Sequence, residues 1–344
     1  MSVQAKRRAL LTLALAAPLA AAAQPASPAK AAGRPFRIYA ITFRGKTDVE
    51  KGFEDFFAAR AIPVEITYRD LNRDATRMPG FLEEIRQSKP DLVYTWGTSV
   101  TLGVVGRHDK VDPKTHIADI PVVFTLVAAP VLAKIVPDLK SSKRNVTGVF
   151  HVAPTETQMR AMASYRPFRA VGILYTPSEN NSVVIVDEVR AVAGRMGFRV
   201  VAKPFALGPD RKPVAEGAAD LVRELKAQGC DWLYLPPDSY LGSVAEKLIL
   251  PAALEARLPT FASTEQLMQA GALTGLVSRY HAIGQFTAHK AEQVLVQRTP
   301  PARIPVETLT RFSFQIRMDV AEALKLPPPL PMFNYAELLA DAAR

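Results

Sequence analysis

The residues best placed to do chemistry are short hydroxyl, amide and acid side chains that each follow a run of β-forming residues. Thr42-Phe43 follows the first such run, Gly97-Thr98-Ser99 the third, and Thr125 lies near the end of the fourth. Further along, Ser178-Glu179-Asn180-Asn181-Ser182, Asp238-Ser239-Tyr240 and Ser263-Thr264 hold the same kind of position. In open parallel sheets, ligands bind off the carboxyl ends of the strands, where helix N-termini aim free N–H groups. Hydroxyls and N–H groups there suit a carboxylate, and Glu179 or Asp238 suits an ammonium, so the set reads as a polar cleft for a small organic ligand. Phe43, Trp96 or Tyr240 would cover an apolar part of it. The same residue types are good helix caps, and any one of them alone serves as a cap first. Gly97-Thr98-Ser99 and Glu179-Asn180-Asn181-Ser182 exceed what one cap requires.

Patterns for bond-making chemistry are weak or missing. The chain has no G-x-x-x-x-G-K-[ST] loop, no strand-linked G-x-G-x-x-G, no H-E-x-x-H and no G-x-S-x-G elbow. A lone Cys230 allows neither an intrachain disulfide nor a cysteine-based metal cage. His108 and His116, with Asp109, Asp112 and Asp119, imitate a metal loop, but the eight-residue gap and hydrophilic flanks read as exposed surface. His151, His281 and His289 are scattered and read as core or surface residues. No catalytic residue, cofactor or metal is expected.

The elements that must position these turns alternate regularly. Strands are predicted at 36–42, 63–69, 91–96 and 121–127, with an extended run at 145–151. Helices are predicted after the capping box Thr47-Asp48-Val49-Glu50, at 78–88, from about Pro130, and after a second box at Thr155-Glu156-Thr157-Gln158. A second series follows, with strands at 170–176, 198–205, 231–235, 258–262 and 272–278 and helices at 182–196, 214–228 and 243–257. Strands alternating with helices of 10–16 residues make parallel sheets from βαβ units, so the fold class is α/β with two doubly wound lobes. A long helix at 282–297, an isolated strand at 312–317 and a last helix near 335–343 fit neither series as a closed unit. Such orphans are what a chain crossing between lobes more than once leaves behind.

The chain has 344 residues with 43 Lys and Arg against 33 Asp and Glu, and 48% are apolar, which suits a globular protein of two domains. Lys6-Arg7-Arg8, an apolar stretch at 9–19 and Ala21-Ala22-Ala23 follow the order of a secretory signal, with cleavage expected before Gln24. Arg7-Arg8-Ala9-Leu10-Leu11 also loosely matches a twin-arginine signal. No Cys lies near the cleavage site, so a lipid anchor is not expected. Losing Lys6, Arg7 and Arg8 lowers the formal charge from +10 to +7. The remaining basic residues are dispersed, which argues against nucleic acid and for a solvated basic surface. Residues 24–35 read as a Pro/Ala linker, and no later apolar run is long enough for a membrane helix. A soluble, monomeric periplasmic protein is expected.

Val171-Gly-Ile-Leu-Tyr-Thr-Pro-Ser-Glu-Asn-Asn-Ser182 closely resembles a segment of the ABC-transporter substrate-binding family that includes tryptophan- and tyrosine-binding members. Gly97-Thr98-Ser99, Ile120-Pro-Val-Val-Phe124, Asn145-Val-Thr-Gly148, Pro237-Asp238, Pro259-Thr-Phe-Ala-Ser263 and Gln269-Ala-Gly-Ala272 match further segments in the same order. The resemblance implies a type I periplasmic binding protein, with two α/β lobes joined by three hinge crossovers near 149–153, 276–280 and 309–314. It places one lobe at 36–148 plus about 280–308, and the other at 149–279 plus about 309–344. It implies ligand contacts at Thr42, Thr98, Ser99, Thr125, Glu179, Asn180, Ser182 and Asp238, and an ABC permease and ATPase as partners. A ligand sensor docking on a membrane receptor, or an exported hydrolase or transferase with Asp238 or Glu179 as base, are the rival readings. The chain departs from the family where relatives often show Ser/Thr-Asp-Pro-Val: it has Val127-Ala128-Ala129-Pro130-Val131.

Overall fold

A computed structural model describes residues 34–339. The expected signal peptide, and the linker as far as residue 33, lie outside the described residues. The first sheet has five parallel strands in the order β2-β1-β3-β4-β5, namely β1 (Phe36–Thr42), β2 (Val64–Asp70), β3 (Leu92–Trp96), β4 (Val122–Val127) and β5 (Val146–Phe150). Helices α1 (Asp48–Ala59), α2 (Met78–Ser88) and α3 (Gly97–Val105) form its connections. β4 is buried along its whole length, as a central strand covered on both faces must be. The capping box at Thr47 forms as expected, with Glu50 reaching back to the Thr47 backbone. It opens α1 so that Phe53 and Phe57 enter the core.

α4 (Thr155–Tyr165) leads into the second sheet, whose order is β12-β11-β10-β9-β8-β6-β7. These strands are β6 (Ala170–Tyr175), β7 (Arg199–Pro204), β8 (Trp232–Leu235), β9 (Thr260–Ala262), β10 (Thr274–Val277), β11 (Ser313–Arg317) and β12 (Glu337–Leu339). All neighbours are parallel except β10 and β11. α5 (Asn180–Met196) ends at Gly197 in the left-handed region, and α6 (Ala218–Ala227) follows β7. Three helical stretches, α7 (Ser239–Val244), a π turn (Ala245–Ile249) and α8 (Leu250–Glu255), run on from one another, and α9 (Glu265–Gln269) follows β9. The π turn lies just ahead of Pro251, which has no N–H for an ordinary α turn.

The chain passes between the sheets three times, all within one compact unit that begins at Pro35. The first passage follows β5, and Val152 there bridges Val277 of β10. The second leads from β10 into α10 (Tyr280–Leu295), which returns to the first lobe and lies against α1. The third runs from the turn Pro301–Arg303 to β11, and Glu307 on it bridges Val149. This is the expected type I architecture, and it explains the orphan helix and strand.

Three local expectations fail. No helix forms after Pro130: residues 130–134 make a single turn ending on left-handed Lys134, and Pro137 bars any continuation. The second capping box does not form, because α4 starts at Thr155 itself and Gln158 donates to the Ala153 carbonyl while accepting from Tyr234. The last helix, expected near 335–343, gives way within the described residues to β12, which pairs with β11 and follows a 3-10 turn at Leu330–Asn334. Residues 340–343 of that expected helix lie outside the described residues.

Candidate functional site

The carboxyl ends of both sheets face one cleft. It encloses a cavity of about 60 Å³ and takes residues from both lobes and from the crossovers. Phe43 and Arg44 follow β1, and Trp96, Gly97 and Thr98 stand at the junction of β3 and α3. Gly97 has φ +80°, a conformation that lets the chain turn straight from strand into helix. Leu126 also enters the cleft, at φ +50°, where the pairing of β4 with β5 shifts register.

The second lobe contributes Glu179 and Asn181 at the start of α5, and Asp238 and Ser239 at the start of α7. The two acids behave differently. Asp238 accepts from the Thr176 and Leu241 backbone N–H groups at 2.7 and 2.8 Å, from Thr176 Oγ1 at 3.0 Å and from Ser182 Oγ at 2.5 Å. Four donors leave it little capacity for a ligand, so it clamps β6, α5 and α7 together. Glu179 accepts from Ser239, through the backbone N–H at 2.9 Å and Oγ at 2.6 Å, and the Asn181 side chain also bonds to it. Burial, reinforced by the nearby Asp238 charge, pushes its carboxyl up to about 7.

Of the residues singled out in the sequence, Phe43, Trp96, Gly97, Thr98, Glu179, Asn181, Asp238, Ser239 and Thr264 line this cleft. The others sit elsewhere. Thr42 donates to Asp70 at 2.9 Å, Thr125 accepts from Thr287 at 3.0 Å beneath the cleft, and Ser263 donates to the Leu235 carbonyl at 2.8 Å. Ser182 is buried against Asp238, Ser99 and Asn180 are exposed, and Tyr240 packs edge-on against Phe205. Residues that sequence reasoning passed over also line it, among them Arg44, Gln266 and Tyr280, as do His151, which was read as a core or surface residue, and Ala128, named only as part of the departure from the family. Arg44 adjoins Phe43, which gave the only local hint. His151 and Tyr280 enter on crossovers, where no periodicity marks them.

Four polar atoms in the cleft walls are buried without a hydrogen-bond partner: Arg44 Nε, Trp96 Nε1, His151 Nδ1 and Asn181 Oδ1. Buried polar groups are nearly always paired, so four open ones around a single cavity mark a place built for a guest. The Arg44 guanidinium lies over the Trp96 ring, 5.2 Å from its centroid, and Phe43 stacks with Trp96 at 6.3 Å. Burial works against the Arg44 charge. The His151 ring stands edge-on to Tyr280, and burial lowers its pKa to about 4, so it is neutral at physiological pH. An open hollow of about 460 Å³ shares Arg44, Gln266 and Tyr280 with the cleft and adds Lys46 and Lys51. Among the described residues, no group of three or more His, Cys, Asp or Glu could hold a metal ion.

Comparison with known proteins agrees with this architecture. The tyrosine-binding protein of Clostridioides difficile (strain R20291) is 24% identical over 278 residues, covering 80% of this chain and 74% of that one. The structure of an ABC domain in complex with L-Trp from Streptococcus pneumonia superposes with a TM-score of 0.75 at 22% identity, covering 88% of this chain and 99% of the other. A ligand-free, open substrate binding protein with adhesive properties from Clostridium difficile gives 0.66 at 20% identity, covering 89% and 99%. The family model for ABC transporter substrate binding proteins matches residues 48–330, a span that takes in both lobes and every crossover, and the chain therefore belongs to that family.

Proposed function

We propose that the protein captures a free α-amino acid between its lobes, outside the cytoplasm, and delivers it to the membrane permease of an ABC importer. The observation that carries this reading is a divided charge. Arg44 comes from the first lobe and Glu179 from the second, both line one cleft, and neither forms an ion pair with a described residue. A carboxylate would lie against Arg44, Thr98 and the first turn of α3, which has no side-chain cap. An ammonium would lie against Glu179 and Asn181 Oδ1. Such a ligand ties the lobes by its two ends, which is how binding energy becomes closure. Residues 36–148 with about 280–308, and 149–279 with about 309–344, are the two bodies proposed to move. The amino-acid binding named for two relatives supports the same reading.

Titration calorimetry of the purified chain against the twenty common amino acids tests it. At least one should bind with a Kd in the micromolar range or below. Arg44→Gln and Glu179→Gln should each weaken that binding at least tenfold, since a charge-assisted hydrogen bond contributes about 1.5–3 kcal/mol. Silence across the whole panel would sink the proposal.

A further inference from the structure

We infer that the amino acid taken up carries an uncharged side chain ending in a hydrogen-bonding group, read by Trp96 and His151. This rests on the zwitterion reading above and names the ligand class within it. The argument is one of remaining capacity. Once Arg44 takes the carboxylate, and Glu179 with Asn181 Oδ1 takes the ammonium, two of the four open buried atoms are left: Trp96 Nε1 and His151 Nδ1. The indole N–H is a donor only and requires an acceptor on the ligand; the neutral His151 ring bonds the Val127 carbonyl through its other nitrogen, so Nδ1 is an acceptor and requires a donor. An aliphatic side chain would seal both without partners, and an unpaired buried polar group costs about as much as the contact gains.

A charged side chain fits no better. Arg44 and Glu179 are already engaged by the ligand's ends, Asp238 is saturated by four donors, and His151 is neutral. The aromatic faces are also in use. Trp96 lies under Arg44 and beside Phe43, and Tyr280 faces the His151 edge. What the cleft offers a side chain is therefore polar edges more than flat rings.

Near-isosteric pairs provide the test: glutamine against methionine and tyrosine against phenylalanine, with lysine and glutamate as charged probes, by calorimetry on the purified chain. The polar member of each pair that binds should be at least tenfold tighter than its apolar partner, and lysine and glutamate should be weaker than glutamine. Trp96→Phe, which keeps the ring and removes the N–H, should cut that preference severalfold while melting cooperatively. His151→Phe should do the same. Equal affinity within the pairs, or preference for methionine, phenylalanine, lysine or glutamate, would overturn the inference and leave the zwitterion reading standing. Binding of none of the twenty amino acids would overturn both. The wild-type comparison decides the matter even if a variant fails to fold.

Discussion

Glu179 sets how binding should respond to pH. Its carboxyl is pushed up to about 7 by burial first and by the Asp238 charge second, while Ser239 holds it in place. An ammonium ligand needs the ionised form, so Kd should be flat above about pH 7 and rise roughly tenfold per unit as pH falls below it. Calorimetry at pH 5.5, 6.5 and 8 checks this, and Glu179→Gln should abolish the dependence along with most of the affinity. His151 should not contribute, because it stays neutral down to about pH 4. The sign for stability is opposite. Between the ordinary carboxyl value of 4.5 and about 7, the folded state holds a proton that the unfolded chain has released. This group's contribution to stability therefore declines as pH rises through that window and is constant above it. The acids and hydroxyls of the site were legible in the sequence because they lie directly after strands. Their division of labour was not: the four donors on Asp238, against the looser hold of Ser239 and Asn181 on Glu179, distinguish clamp from ligand contact.

At the scale of elements, the junction of α1 with α10 is the tightest seam. A Cβ on Gly284 would fall 1.9 Å from the Val49 carbonyl oxygen, and one on Gly52 would fall 2.0 Å from that of His281. Gly284→Ala should therefore lower unfolding free energy by about 1–3 kcal/mol, measured by denaturant titration, since an overpacked contact against backbone cannot relax cheaply. Gly194→Ala, in the last turn of α5 with nothing within 4 Å of the added carbon, should instead be neutral or stabilising by about 0.5–1 kcal/mol. Elements governed by local signals were readable to the residue: β1 at Phe36–Thr42 and α2 at Met78–Ser88 have the expected bounds. Elements governed by distant partners were not. Gln158 serves the Ala153 carbonyl and Tyr234 instead of a cap, and β12 exists through its pairing with β11. α7 starts at Ser239, four residues before the expected helix, because Asp238 caps it through Leu241 while also joining α5 and β6.

At the scale of the molecule, three narrow passages join two lobes whose facing surfaces carry opposite charges in one cleft. A ligand that grips both should compact the particle and resist heat. Small-angle scattering with and without saturating ligand should show a smaller radius of gyration when bound, and melting should shift upward as expected for about 2.7 kcal/mol at a ligand concentration of 100 Kd. An unchanged radius would argue against hinge closure. The sheet pattern was visible in the alternation of strands and helices, and the crossings only in the elements left over. One consequence of the return of α10 concerns the order in which the chain is made. Synthesis delivers α1 some 230 residues before its partner α10, so Val49, Phe53 and Phe57 emerge with one side still uncovered. The amino-terminal half cannot be finished until most of the carboxyl-terminal half has emerged, and a chain truncated before Tyr280 should be left with an exposed apolar seam and a tendency to aggregate.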